Sequence, residues 1–167
     1  MTCETTDAEE QRYAELQLEA LECARCGDRD DTLAAMLRAG MPVNLADHKG
    51  NTLLMLAAYH GNEDTVTLLL THAADPDRPN ARAQTALGGV AFKGYTTIAS
   101  QLLDAGADIN ADQGAGMTPL MYAQMFGRAE TARLLQQRGA GRGSPLLRVA
   151  TPILGAVVSL VRAFRNH

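Results

Sequence analysis

The sequence predicts an all-α solenoid: helix-turn-helix units with short β-hairpin loops, about four in number, closed by a C-terminal capping helix. The first observation behind this is a period. Thr52, Thr85, Thr118 and Thr151 are spaced by 33 residues, and each opens a helix-like apolar pattern. The second is a recurring stop. Gly61, Gly94 and Gly127 stand nine residues after the first three threonines, and a second apolar pattern comes next: "TVTLLLTHAADPD", "IASQLLDAGADIN" and "TARLLQQRGA". The third is composition. Apolar residues make up 46% of the 167, yet aromatics only 4%, with no Trp. Alanine and leucine carry the apolar content, which favours closely packed helices over strands.

Taken in order, residues 1–18 are an acidic N-terminal extension, with "AEEQRYAELQLEA" at 8–20 reading as a helix. Residues 19–46 match the repeat with one residue missing and read as a capping repeat, since "LRAGMPVN" aligns with "LDAGADIN". Units 47–79, 80–112 and 113–140 come after it. In each, the threonine hydroxyl caps the free N–H groups of the first helix. Pro119 and Pro152 occupy first helical positions, where proline loses nothing. The glycine takes the left-handed conformation that ends the helix. Ala57-Ala58, Val90-Ala91 and Ala123 let helices approach closely, and Leu68 to Leu70, Leu102-Leu103 and Leu134-Leu135 fill the space between them. Asn44, Asp77 and Asn110 close successive units at turns. Gly88-Gly89 weakens its helix by roughly 1 kcal/mol per glycine relative to alanine. Residues 141–167 read as a C-terminal cap, a degenerate fifth half-repeat. Thr151-Pro152 is in register, a short turn falls near 145–149, and Leu160 stands where the stop glycine would be.

These motifs resemble the ankyrin repeat over about residues 19–140. "GMTPLMYAQMFGRAETARLLQQRGA" and "GNTLLMLAAYHGNEDTVTLLLTHAAD" are the nearest copies, the second with Leu53 for the usual proline and Met55 for the usual histidine. The resemblance implies a concave face built from hairpin tips and the exposed side of each first helix. By register the tips carry His48, Lys49 and Asn51, then Arg82 and Gln84, then Ala115 and Met117. The helices carry Tyr59-His60, Phe92-Lys93 and Met125-Phe126, the residues before each glycine. Aromatics and long basic side chains of this kind are typical of binding hot spots. The plainer alternative is that they cover the next repeat's helix. Tyr122 reads as core, with its hydroxyl at an edge.

The net charge of -4 argues against a nucleic-acid binder. The charge is uneven: ten of nineteen acids lie in residues 1–31, while Arg133, Arg138, Arg142, Arg148, Arg162 and Arg165 all come after the last acid, Glu130. Such asymmetry either steers partners and favours head-to-tail contact or simply solvates two ends of an elongated molecule. Cys3, Cys23 and Cys26 make no disulfide framework. "CARC" lacks the two further ligands a structural zinc needs. His48, His60, His72 and His167 do not cluster with carboxylates, and no nucleophile, base and orienting group converge. No catalytic residue, metal or other cofactor is expected. "MTCETTDAEEQR" is not a secretory signal, and "ILGAVVSLV" at 153–161 is about half a membrane span. The expectation is a cytoplasmic protein, bacterial in composition. It binds another protein, with an enzyme or toxin the class that the resemblance suggests, as inhibitor, immunity or stabilising partner. The alternative is an adaptor that docks the apolar, arginine-containing helix "TPILGAVVSLVRAFR" on a membrane surface or a partner's groove.

Overall fold

A computed structural model describes residues 7–27 and 31–141. The C-terminal cap beyond Gly141, with Thr151-Pro152 and the turn near 145–149, lies outside the described residues, as does Cys3. Eight helices are present among those described: α1 (Asp7–Cys26), α2 (Thr32–Arg38), α3 (Leu53–His60), α4 (Glu63–Thr71), α5 (Ala86–Lys93), α6 (Thr96–Asp104), α7 (Pro119–Met125) and α8 (Ala129–Gln137). They form two rows. The first helices α1, α3, α5 and α7 pack side by side, and α4, α6 and α8 form the second row behind them. Each first helix also packs on its own second helix.

The recurring residues explain the repetition. Thr52, Thr85 and Thr118 hold extended backbone, and each hydroxyl accepts from the N–H three residues on, of Met55, Gly88 and Met121, at 3.2, 3.4 and 3.4 Å. Pro119 opens α7. Gly61 ends α3 at φ 82°, and a side chain there would also sit 3.1 Å from the Tyr95 ring. Ala24, Ala57, Ala58, Ala91 and Ala123 are fully buried where first helices meet. Leu33, Val66, Leu69, Ile98, Leu102 and Leu135 fill the space between the rows. The leucine runs are not uniform: Leu69 and Leu102 are fully buried, while Leu68, Leu70, Leu103 and Leu134 are partly exposed at the core's edge.

Neighbouring repeats are tied by hydrogen bonds at a matching offset. The side chains of Asn44, Asp77 and Asn110 accept from the N–H of Asp75, Asp108 and Gly141 at 2.9, 2.8 and 2.9 Å. The residue after a stop glycine reaches back to the previous repeat at two of the three positions. Asn62 donates to the free carbonyls of Ala24 and Arg25 at 2.9 Å each, and Arg128 donates to that of Phe92 at 3.0 Å. These are carbonyls that a helix end leaves without an internal partner.

α1 runs unbroken from the acidic extension into the capping repeat, with no turn at 18–19. Its acids in the first turn and Arg25 in the last match the helix dipole. Only Ala20, Leu21 and Ala24 of this helix are buried. The hairpin loops are short in the extreme. Each tip is closed by Asp47 N–H to Asn51 O, Asn80 N–H to Gln84 O or Gln113 N–H to Met117 O, with a tighter turn bond inside it (Gly50 to Asp47, Ala83 to Asn80, Met117 to Gly114), and among the described residues one isolated β-bridge joins Ala46 to Thr52.

Candidate protein-binding face

The exposed sides of α3, α5 and α7 and the first two hairpin tips enclose a groove of about 740 Å³. Its floor is aromatic. Tyr59 and Phe92 lie parallel with ring centres 6.5 Å apart, and Phe92 meets Phe126 edge to face at 4.5 Å. Tyr59 and Phe126 remain 41% and 43% exposed, so this row is not consumed by internal packing. It is continuous because the three residues occupy equivalent or adjacent positions on neighbouring first helices. The Tyr59 ring lies over Gly89, where a Cβ would meet it at an ordinary contact distance of 3.4 Å.

His48, Lys49, Asn51, Arg82 and Gln84 line the same groove from the tips, and His60 from the end of α3. Lys93 stands with its ammonium 4.5 Å from the centre of the Tyr59 ring. Lys93 reaches the face through that ring and does not itself line the groove, and three further expected residues fall elsewhere. Met117 and Met125 are half-buried and do not line the groove, and Ala115 is exposed at the third tip, also off it. Tyr122 is partly buried, packs against the core and borders the groove with an edge.

A polar chain that the periodic pattern did not reveal joins the first two tips. The Asp47 carboxylate accepts from the Lys49 and Asn51 N–H groups at 2.8 and 2.9 Å and from the Asn51 side chain at 2.9 Å, with Arg25 at 3.7 Å. Its side chain is only 6% exposed. Burial alone would raise this carboxyl's pKa. The Asn51 side chain, the two N–H groups and nearby His48 outweigh burial and hold it below the ordinary value. Asn80 has the same role in the next repeat, accepting from Arg82 and Gln84 N–H at 2.9 and 3.0 Å, and it donates back to Asn51 at 2.9 Å.

In the third repeat the equivalent residue is Gln113. Its longer side chain turns inward, and it is 2% exposed. It accepts from Thr85 N–H at 2.8 Å and donates to the Thr85 hydroxyl at 3.0 Å. Asp112 takes over the tip, accepting from Gly114 and Gly116 N–H at 2.9 and 3.0 Å. Gln113 occupies the space over Gly88, where a Cβ would lie 1.9 Å from its carbonyl oxygen. A trace of this was legible: Asp47, Asn80 and Gln113 recur at 33 residues and are all polar.

The face is electropositive in a chain of net charge -4. Lys49 and Arg82 line the groove and Lys93, the chain's other lysine, stands over the Tyr59 ring, while the groove's acid, Asp47, is turned inward. Glu63, Asp64, Asp104 and Glu130 belong to second helices. The histidines among the described residues do not converge: His48 is at a tip, His60 ends α3, and His72 ends α4 with its Nδ1 2.9 Å from the Leu68 carbonyl oxygen. Cys23 is half-buried, and the exposed Cys26 donates to Glu22 at 3.1 Å. Among the described residues no three His, Cys, Asp or Glu groups are placed to hold one metal ion.

A family model described as ankyrin repeats, three copies, matches residues 20–113 and 78–144. The chain belongs to the ankyrin-repeat family. Its relatives include the ankyrin repeat domain-containing protein SAT10 of Stachybotrys chartarum, 35% identical over 71% of this chain but 6% of that protein. A putative ankyrin repeat-containing protein of Treponema pallidum is 35% identical over 66% of this chain and 37% of its own length. A putative ankyrin repeat protein of Pseudomonas aeruginosa is 58% identical over 22% of this chain and 21% of its own. The chain thus spans well under half of these relatives. Ankyrin repeats generally mediate protein–protein contacts, and the family is typically non-catalytic. No helix among the described residues of this ankyrin-repeat chain is long and apolar enough to cross a membrane.

Proposed function

We propose that this chain is a non-catalytic binding module that holds one specific protein partner on its concave face and hairpin tips. One observation carries the reading. The row Tyr59–Phe92–Phe126 is aromatic, exposed at Tyr59 and Phe126, and flanked by Lys49, Arg82 and Lys93. Partly exposed aromatics beside long cations are what tight interface centres are made of. The four units are 19–46, 47–79, 80–112 and 113–140, and the face spans the last three. A stoichiometric module of this kind acts on its partner by covering or bracing it, as inhibitor, immunity partner or stabilising subunit of an enzyme or toxin. The test is affinity capture from cells that express the chain, with identification of the captured protein by mass spectrometry. The Phe92→Ala/Phe126→Ala variant should lose that protein by roughly two orders of magnitude in affinity while keeping its helical circular dichroism. Equal capture by a folded double variant would show that the partner does not sit on the concave face.

A further inference from the structure

We propose that the chain associates head to tail with a second copy of itself, the N-terminal half of α1 on one molecule lying in the cationic aromatic groove of the next. The proposal rests on the groove being an open binding face and goes beyond the partner reading above. Among the described residues, five large apolar side chains are exposed; four fall on two surfaces, and the fifth, Leu18, lies on the side of α1 opposite Leu16. Tyr59 and Phe126 are in the groove; Tyr13 and Leu16 are on α1.

The α1 surface is the continuation of a buried stripe. Tyr13, Leu16, Ala20 and Ala24 succeed one another at three- and four-residue steps and so share a face. Ala20 and Ala24 are fully buried in the row where α1 packs on α3. At 1.5 Å per residue, α1 is roughly 30 Å long and α3 roughly 12 Å. α3 therefore cannot cover the whole stripe, and no residue from 7 to 19 is buried. Residues 7–19 carry five acids against one base, Arg12, whereas the groove presents Lys49, Arg82 and Lys93. The two surfaces are thus apolar at the centre, opposite in charge at the rim, and carried by the same chain.

An amphipathic helix laid in an aromatic groove is a recurring mode of recognition, anchored by residues three and four apart. Two turns of helix span roughly 11 Å, which matches a row of rings with centres 6.5 and 4.5 Å apart. The contact pairs two different surfaces, so each end molecule keeps one helix or one groove free. Association therefore extends as an open chain, or as a ring where the rotation between copies closes it. It also closes the groove to any other partner, so self-association competes with partner capture.

Sedimentation equilibrium of the purified full chain, with no partner present, tests this. Two variants are needed: Tyr13→Ser/Leu16→Ser, which breaks the helix surface, and Lys49→Glu/Arg82→Glu, which reverses the groove's charge. All four side chains are exposed in the single molecule. The expected wild-type result is a weight-average mass that at least doubles as concentration rises, with association weakened roughly tenfold in high salt. Each variant alone should stay at the monomer mass. An equimolar mixture of the two should form a one-to-one dimer and stop there, since it has one intact helix surface and one intact groove. That mixture also shows that both variants are folded. Wild type that is monomeric throughout, a mixture that does not pair, or either variant that still dimerises alone would overturn the proposal. Because no partner is present, failure here leaves the partner-capture test untouched.

Discussion

Gly88 shows how a residue's role reverses between sequence and structure. Read alone, it weakens α5, and Gly88→Ala should stabilise the helix by roughly 1 kcal/mol. In the fold it makes room for Gln113, which binds both the N–H and the hydroxyl of Thr85. Gly88→Ala should therefore destabilise the chain, by about 1–3 kcal/mol, because the displaced amide leaves buried groups without partners. Gln113→Ala on that background should cost little more than Gly88→Ala alone, and chemical denaturation of the two singles and the double measures the coupling. The sequence could not show this, since the clash is between residues 25 apart whose meeting depends on the stacking of repeats. Asp47 adds a pH dependence. Its folded pKa is lowered, so its contribution is present above the ordinary carboxylate range and is lost as pH falls through the lowered value. Asn80 shows that an amide serves at the equivalent position. Asp47→Asn should accordingly flatten the acid side of the stability profile. Wild type should lead the variant near neutrality, and that lead should shrink below about pH 4, as followed by urea unfolding at stepped pH.

At the scale of elements, the sequence was most informative. A threonine, a stop glycine and alanines at fixed offsets are local signals, and the helices formed where these residues placed them. The ties between elements were less legible. Asn44, Asp77 and Asn110 read as turn residues, whereas each holds the next repeat through an N–H 31 positions on. Asn62 stands in a turn, yet it caps the end of α1. Asn62→Ala should cost about 1–2 kcal/mol through two orphaned carbonyls. The loss should be local. Hydrogen exchange should quicken across the end of α1 and its contact with α3, with α7 and α8 unchanged, because repeats interact only with their neighbours. Uniform quickening along the chain would mean that the solenoid unfolds as one unit. The continuity of α1 was not legible either. The step from acidic extension to capping repeat is a change in burial, not in backbone, and the acidic sequence has good helix formers on both sides.

Over the whole molecule, two features define the face: a row of aromatics and a separation of charge. The aromatic row was legible because Tyr59, Phe92 and Phe126 sit at or next to a repeated position before each glycine. Register alone brought them together. The two methionines were not placed so well. Met125 holds the register of Tyr59 and Phe92, yet it is half-buried and off the groove, and Phe126, one residue later, completes the row instead. The central claim is that a protein partner rests on this row. Site-specific photo-crosslinking tests it most directly, with a benzophenone amino acid placed at Phe126 in one variant and at the exposed Gln136 of α8 in another. The captured partner should be crosslinked from position 126 and not from 136. Crosslinking from 136 alone, or equally from both, would contradict the claim.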